Sequence, residues 1–316
     1  MIRRLILTLI LAGSVGWAQT HPSILVKPWP TGPLWAETRD EIVVQERANT
    51  RGGTDAGIWA WDSTGRIKFD RETTEPRWVL GYRILSLTVD SDLPAINGTF
   101  WDIALAAGGR VARLENEWEI YLLGGAGTAN DGHFDDEEAL YGIGTVHFAR
   151  KLSADEEWMF GLSYDGHRSF LPDVPLPYVS YRRKVNDQLI GVVGLPFGGA
   201  YWRPLERLRV DVSYILPADW KGRVSWHFTG TLRVFAEYTR AQDGFSINAV
   251  DNRRLFYSAR RAFGGIRWVN KLVDVSAGVG YAFDQEFETG FDLRDTRTVT
   301  RVEDAPFVMV RLEGTF

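Results

Sequence analysis

The sequence contains no cysteine among its 316 residues. Disulfides, thiolate metal sites, a cysteine nucleophile and lipid attachment at a cysteine are therefore excluded. Long hydrophobic runs are also missing, because no segment approaches the 18 apolar residues of a transmembrane helix, and the mean hydropathy is −0.18. A helical membrane protein is excluded on this ground. A membrane β-barrel is not, since only every second residue of its strands faces lipid.

The chain has no net positive charge, and histidine is scarce. The net charge of −5 argues against a nucleic-acid-binding surface. Only 5 histidines are available to activate a nucleophile, and no Gly-x-Ser-x-Gly elbow is present. His167 beside Ser169 is the one pairing near a strand end, and His227 next to Ser225 is more simply explained as packing. We therefore expect no enzymatic activity and no cofactor.

The first residues have the pattern of a secretory signal. Arg3 and Arg4 precede the apolar run 5–12, and the small residues of 16–18 fit a signal peptidase site. The sequence thus predicts a cleavable signal peptide over residues 1–18.

A proline-rich segment follows at residues 19–37, with tryptophans between the prolines. Proline cannot donate a hydrogen bond to a sheet, so this segment is predicted to be an extended periplasmic leader, with a plug in a barrel lumen as the alternative. Residues 38–316 are predicted to form the folded domain.

Alternation of apolar and polar residues dominates that domain. In residues 207–216 one face is apolar (Leu208, Val210, Val212, Tyr214) and the other is polar (Arg207, Arg209, Asp211, Ser213). Similar segments, joined by turns of two alternating lengths, continue to the end, and the 13 Trp, 11 Tyr and 32 Gly suit interfacial girdles and curved strands. The pattern predicts an all-β, closed antiparallel transmembrane β-barrel with 12–16 strands in a bacterial outer membrane. A soluble β-sandwich or propeller is the competing architecture.

Connection lengths predict the orientation. Long loops are expected at residues 49–55, 89–98, 128–138, 167–175, 242–253 and 286–303, with short turns between them. Since short turns of such barrels are periplasmic and long loops extracellular, both termini are expected in the periplasm.

The last strand carries a predicted assembly signal. Its outward face is Val308, Val310, Leu312, Gly314 and the terminal Phe316. Final strands of this form are typical of outer-membrane barrels, so the expected partners are the barrel-assembly machinery and outer-membrane lipids, including lipopolysaccharide. No nucleic acid is expected.

Three further features carry a family resemblance. Leu-Pro pairs recur at 176–177, 195–196 and 216–217, residues 203–211 read Arg-x-x-Glu-Arg-Leu-Arg-Val-Asp, and Asp304-Ala305-Pro306-Phe307 precedes the last strand. From about residue 139 to the end the chain resembles an uncharacterised family of bacterial outer-membrane β-barrels. The resemblance implies the fold and the location, and it implies no substrate and no catalytic residues.

Charged residues on the polar faces are the candidate functional set. By alternation they point into the lumen: Arg182, Arg207, Arg209, Asp211, Arg223, Arg233, Glu237, Asp274, Arg311 and Glu313. One interpretation is a passive or weakly anion-preferring pore, because charged rings select ions. The other is a lumen filled by paired charges, in a non-conducting barrel that acts through its extracellular loops. Packing is expected with about 12 strands, and an open channel becomes more plausible with 16.

The acidic segment 131–138 is the remaining candidate. Clustered carboxylates can bind Ca²⁺ or Mg²⁺, but the spacing lacks the order of a calcium-binding loop. A solvated extracellular loop is the favoured interpretation, and no metal site is predicted.

Overall fold

The computed structural model describes residues 35–69, 77–247 and 253–316. The predicted signal peptide and the leader up to residue 34 lie outside these ranges. Apart from a 3-10 turn at Glu137–Ala139, the regular secondary structure of the described residues is β-strand, and none of their helical segments is long and apolar enough to cross a membrane. The strands are β1 (Ala36–Asn49), β2 (Asp55–Lys68), β3 (Trp78–Ser91), β4 (Gly98–Arg113), β5 (Trp118–Asn130), β6 (Leu140–Lys151), β7 (Glu156–Asp165), β8 (Leu176–Asn186), β9 (Leu189–Leu195), β10 (Phe197–Leu205), β11 (Leu208–Ile215), β12 (Asp219–His227), β13 (Leu232–Ser246), β14 (Arg254–Val269), β15 (Val273–Gly290), β16 (Arg297–Val302) and β17 (Ala305–Thr315).

Every strand pairs antiparallel with its neighbours, and the sheet closes on itself. β1 pairs with β2 on one side and with β17 on the other, where Ile42 faces Val310. β16 and β17 pair in succession with the two ends of β15, so together they make one crossing of the wall. The fold is therefore a closed sixteen-stranded barrel, which confirms the predicted class and the upper end of the predicted strand number.

The two ends of the barrel differ in most of their connections as predicted. At one end, six turns of 2 to 4 residues join successive pairs of strands from β4 to β15, and β1 begins and β17 ends there, although the β2–β3 connection at this end is longer. At the opposite end, six connections have 5 to 10 residues, but β9 and β10 are joined by one residue and β11 and β12 by three. Two of the long loops expected there are partly strand, however: β13 runs on to Ser246, and β15 and β16 occupy most of 286–303. We call the short-turn end periplasmic and the long-loop end extracellular.

The outer face is apolar around the circumference. Five of the seven exposed tryptophans of the described residues lie near the periplasmic ends of their strands, as in an interfacial girdle: Trp78, Trp158, Trp202, Trp226 and Trp268. Between the two ends, exposed outward side chains include Val44, Leu105, Leu122, Val146, Leu162, Val193, Val212, Val224, Ile266 and Val279. This surface suits lipid, and closure leaves no open edge whose backbone groups would lack partners in hydrocarbon.

The wall has unequal height. β9–β12 contain only 7 to 9 residues, whereas β13–β15 contain 15 to 18 and β1–β4 contain 14 to 16. We call β8–β12 the low side, and β13–β17 with β1–β4 the tall side. The ladder between β12 and β13 ends where Trp220 pairs with Arg240. The upper part of β13, Ala241–Ser246, therefore pairs only with β14.

This upper part of β13 reaches the opposite wall. In the ring of sixteen crossings, β13 and β5 are eight places apart in either direction. Nevertheless, Cα atoms of β13 come within 8 Å of Cα atoms of both β4 and β5. The rings of Phe245 in β13 and Phe100 in β4 lie 5.4 Å apart. We call this approach the wall contact.

The wall contact encloses an apolar core on the tall side. Its buried side chains come from β1–β4 and β13–β17 with the β3–β4 loop: Val43, Ala56, Ile58, Ala60, Leu85, Leu87, Val89, Ile96, Phe100, Phe235, Phe245, Leu255, Tyr257, Ala259, Phe263, Ala282, Phe287, Val302, Phe307 and Met309. A barrel of about eight strands has an interior that side chains can fill. The tall side makes eight crossings, and β13 folded against β4 gives it this smaller cross-section.

Candidate functional site in the barrel lumen

Charged side chains form a network in the periplasmic half of the lumen. Arg311 of β17 is 1% exposed, and its Nε lies 2.6 Å from Glu41 Oε2 of β1. Its Nη2 donates across the lumen to Glu237 Oε1 of β13 at 3.0 Å. Glu237 also accepts from Arg223 of β12, and Lys221 Nζ lies 3.2 Å from it. One buried carboxylate is thus surrounded by three cations.

A second branch of the network extends towards β14 and β15. Arg267 Nη2 donates to Glu313 Oε2 and to Asp274 Oδ2, at 2.6 Å each. Arg39 Nη2 donates to Glu41 Oε2 at 2.8 Å, and Arg39 Nε lies 3.9 Å from Glu313 Oε1. The ion network therefore joins five cations to four carboxylates: Arg39, Lys221, Arg223, Arg267 and Arg311 with Glu41, Glu237, Asp274 and Glu313.

Nine of the ten charged residues selected from the sequence lie in strands, and none of these nine is exposed. Seven of them form ion pairs: Arg209, Asp211, Arg223, Glu237, Asp274, Arg311 and Glu313. Arg182 in β8 and Arg233 in β13 are half-buried.

The structure places Arg207 differently from the expectation. Its side chain is exposed, and it lies in the turn between β10 and β11. The alternation was extended by one residue too many, because β11 begins at Leu208. A turn residue does not follow the two-residue period of the strand.

Sequence analysis missed several members of the ion network. Lys221 precedes Arg223 by two residues in β12, and Arg267 lies between the outward Ile266 and Trp268, so strict alternation could have found both. Arg39 and Glu41 were harder to assign, because β1 begins with charges on both faces.

A polar cluster accompanies the wall contact above the ion network. Arg83 of β3 donates to Asp102 Oδ2 at 2.6 Å and to Asp243 Oδ1 of β13 at 2.9 Å. The Tyr141 hydroxyl donates to the other oxygen of Asp102 at 2.5 Å. Arg83 is buried and Asp243 is mostly buried, so the two walls are joined by a charge-assisted hydrogen bond with little access to bulk water.

The β7–β8 loop, residues 166–175, is held over the lumen by Arg254 of β14. The buried Arg254 guanidinium donates to the carbonyl oxygens of His167 (2.8 Å), Arg168 (3.0 Å) and Phe291 (2.8 Å). The amide of Leu293 donates to the carbonyl of Ser169 at 3.0 Å. The loops after β7 and after β15 are therefore fixed to each other at the extracellular end.

His167 links this loop to the wall contact. Its ring is stacked on Tyr141 at 4.8 Å between centroids, and it hydrogen-bonds the backbone of Gly244 in β13. Burial lowers the pKa of His167 to about 4, and the nearby Arg254 and Arg83 add to the effect against the opposing influence of Asp102. The ring is neutral at pH 7.

The other candidate sites show little organisation. His133 Nδ1 lies 2.9 Å from Asp131 Oδ1 in the acidic segment, and Asp136 caps the 3-10 turn. Within the described residues, no group of three histidine, aspartate or glutamate side chains is arranged to hold a metal ion. No hydrogen bond joins His167 to Ser169, or His227 to Ser225, in the part of the chain that the structure describes.

The predicted assembly signal lies on the outer surface. Val308, Val310, Leu312 and Phe316 are about half exposed and face outward, whereas Phe307 and Met309 point into the core. The amide of Phe316 donates to the carbonyl of Ala36 at 2.8 Å, so the last residue helps to close the seam between β1 and β17.

No family model matches the chain, and no curated protein matches it. Similar solved structures include an outer membrane channel from Pseudomonas putida F1, with 8% identity, coverage of 90% of this chain and 96% of that chain, and a TM-score of 0.35. The Pseudomonas putida toluene transporter TodX has 10% identity over 98% of this chain and 97% of its own, with a TM-score of 0.34. The NalP autotransporter translocator domain from Neisseria meningitidis has 12% identity over 99% and 94%, with a TM-score of 0.32.

The chain's own geometry settles its class and location. It is a closed antiparallel barrel with an apolar outer face, a tryptophan girdle and short turns at the end where β1 begins and β17 ends. This is the architecture of bacterial outer-membrane barrels. The chain is an outer-membrane β-barrel.

Proposed function

We propose that this barrel is closed to the free passage of ions and acts through its extracellular end. The observation that carries the proposal is the wall contact, where β13 reaches β4 and β5 across the lumen. Barrels of 16 strands with walls held apart leave an aqueous channel. Here that space is occupied by two contacts of the wall contact: the ring pair of Phe245 and Phe100, and the ion pair of Arg83 and Asp243.

The ion network supports the same proposal. A conducting pore uses charged side chains that passing ions can reach. In this lumen, Glu237 and Arg311 are buried and neutralise each other. An ion moving past them would have to break charge-assisted hydrogen bonds that water is not positioned to replace.

The test is conductance in a planar bilayer. The purified refolded barrel, shown to be folded by heat-modifiable gel migration, is expected to pass no stable current. The triple variant Arg83→Ala, Asp243→Ala, Phe245→Ala removes the side chains of the wall contact and should produce conductance steps. Steps in the unmodified protein would overturn the proposal.

A weakly anion-preferring pore is the second candidate. It is favoured by a local excess of cations around the ion network, which has five cations and four carboxylates: the adjoining Arg209 is paired with Asp211, and the half-buried Arg233 adds a further cation. If current is found, Arg209→Ser with Arg233→Ser should lower the anion preference. An unchanged reversal potential in a salt gradient would show that these two residues do not determine the anion preference.

For assembly, we propose that the barrel-assembly machinery recognises the outward face of β17 and that lipids, including lipopolysaccharide, contact the outer surface. Phe316→Ala keeps the backbone hydrogen bonds of the seam and removes only the exposed ring. Reduced membrane levels of this variant, with normal refolding of the purified chain, are expected. Normal membrane levels would contradict the role of the ring.

A further inference from the structure

The low side contains a cavity that the ion network and the wall contact leave unfilled. Its volume is about 200 Å³, and it lies among the extracellular ends of β7, β8, β10, β11 and β12. The β7–β8 loop contributes Phe170 to its lining. Since Arg254 fixes that loop, the cavity is bounded by groups held in place.

Most of the lining is apolar. Phe170, Leu176, Phe197 and Ile215 are four of the side chains that form it. An apolar cavity of about 150 Å³ can take up a benzene molecule. The space therefore suits the body of a ligand with one ring or a short aliphatic chain.

Two carboxylates also line the cavity. Asp165 accepts a hydrogen bond from the amide of His167 at 2.9 Å, and Asp219 is hydrogen-bonded to the backbone of Gln242. Neither forms an ion pair with a side chain of the described residues. Arg168 and Arg254 act on Asp165 from beyond ion-pair distance, so a cation that a ligand brings into direct contact with these carboxylates would be stabilised there.

One basic side chain, Arg168, is part of the same lining, but it is already engaged. Its guanidinium donates to the carbonyl oxygens of Ser163 at 2.9 Å and Val174 at 3.3 Å. Arg168 keeps its positive charge in these hydrogen bonds, so the carboxylates of the lining outnumber its guanidinium by one.

We propose that this cavity binds a small organic cation, with the apolar body against Phe170, Phe197 and Ile215 and a protonated amine at Asp165 and Asp219. The site goes beyond the proposed function and does not depend on it, because binding here is independent of whether the barrel conducts.

The test is calorimetric titration of the folded full chain in detergent with three probes of the same shape. Benzylamine is a cation, benzyl alcohol is neutral and benzoate is an anion. We expect benzylamine to bind at least about tenfold more tightly than benzyl alcohol, since hydrogen bonds to charged groups are stronger than neutral ones, and benzoate to bind more weakly than both. Equal affinities, tighter benzoate binding or no binding of any probe would overturn the proposal.

Variants locate the binding. Asp219→Asn and Asp165→Asn should each weaken benzylamine about tenfold and leave benzyl alcohol within about twofold. Asp187→Asn is the matched control, because Asp187 lies in an exposed turn at the periplasmic end. Ala218→Phe places a ring in the cavity and should abolish binding of all three probes, with folding checked by heat-modifiable migration. Unchanged benzylamine binding in the Asp219→Asn and Ala218→Phe variants would place the binding elsewhere and overturn the assignment.

Discussion

The tall and low sides of this barrel differ in how their side chains fill the interior. Both present apolar residues to lipid on the outside, yet the tall side fills its interior with a hydrophobic core and the low side keeps a cavity. The difference follows from strand length. β13 extends six residues above its ladder with β12 and folds against the opposite wall, whereas β9–β12 end below that level.

Strand number alone therefore does not determine the lumen. Sixteen strands were expected to favour an open channel, because such a ring is wide. In this protein the extra length of one side brings β13 against β4 and β5 in the extracellular half. The comparison shows that a lumen is set by strand height as well as by circumference.

The largest expected difference between the two sides is in core packing. Phe245→Ala removes a fully buried ring on the tall side and should lower the free energy of unfolding by about 4 kcal/mol, because a large-to-small change leaves a cavity. Phe197→Ala on the low side removes a half-buried ring beside an existing cavity, and should cost only about 1 kcal/mol. Urea titration of the two refolded variants measures both values. Equal losses would mean that the two sides are packed alike.

The ion network should give the next largest effect. Glu237→Gln keeps the shape of the side chain but leaves three cations around it without their shared carboxylate, at an expected cost of about 3 kcal/mol. Glu156→Gln is the matched change on β7, where the partner Arg183 is exposed, and should cost less than about 0.5 kcal/mol. The same urea titration separates them, and a cost for Glu237→Gln as small as that of Glu156→Gln would show that water reaches the network.

A smaller and local effect is expected at the β7–β8 loop, which spans the boundary between the two sides. Arg254→Met removes the donor that holds the carbonyls of His167 and Arg168, and should reduce the protection of the loop amides about 30-fold, equivalent to about 2 kcal/mol. Hydrogen exchange read by mass spectrometry measures this protection. The control is Arg260→Met on the same strand, because Arg260 pairs with the exposed Asp284 and should leave the loop unchanged. If the loop amides of the Arg254→Met variant stayed fully protected, contacts other than Arg254 would hold the β7–β8 loop in place.

The smallest expected effect is a dependence on pH. The pKa of His167 is lowered to about 4 by burial in the docked loop, below its ordinary value near 6.5. Since the neutral ring is favoured in the docked state, docking is fully stable above pH 6.5 and weakens as the pH falls towards 4. Loop exchange, corrected for the intrinsic rate, should therefore rise between pH 6.5 and 4.5. His167→Gln should remove this rise, and a rise of the same size in that variant would assign it to another group.

Much of the fold could be predicted because the two-residue period has a direct physical cause. Val308, Val310 and Leu312 alternate with Phe307, Met309 and Arg311, and the structure separates these sets to the outer and inner faces. Lipid requires apolar side chains and the lumen accepts polar ones, so neighbouring residues of a strand alternate and the alternation can be recognised in the sequence.

The lumen was harder to predict, since its contacts join residues far apart in the chain. Arg83 meets Asp243, and Glu41 shares Arg311 with Glu237, although nothing in the local pattern of these strands identifies a partner. Alternation says which way a side chain points, but not how far away the opposite wall lies. Apolar residues on the inner face, such as Phe245 and Phe307, were the available sign that this lumen is partly dry.

The short strands of the low side also have a consequence for the surrounding bilayer. Eight residues rising about 3.3 Å each, at a tilt of about 40°, span only about 20 Å, against an apolar band of about 25 Å in typical barrels. Exposed valine and tryptophan side chains on β9–β12 still require hydrocarbon. Acyl chains beside the low side must therefore shorten or tilt, at a cost of fractions of a kcal/mol for each ångström of mismatch. We therefore expect the membrane to be thinner along the low side than along the tall side.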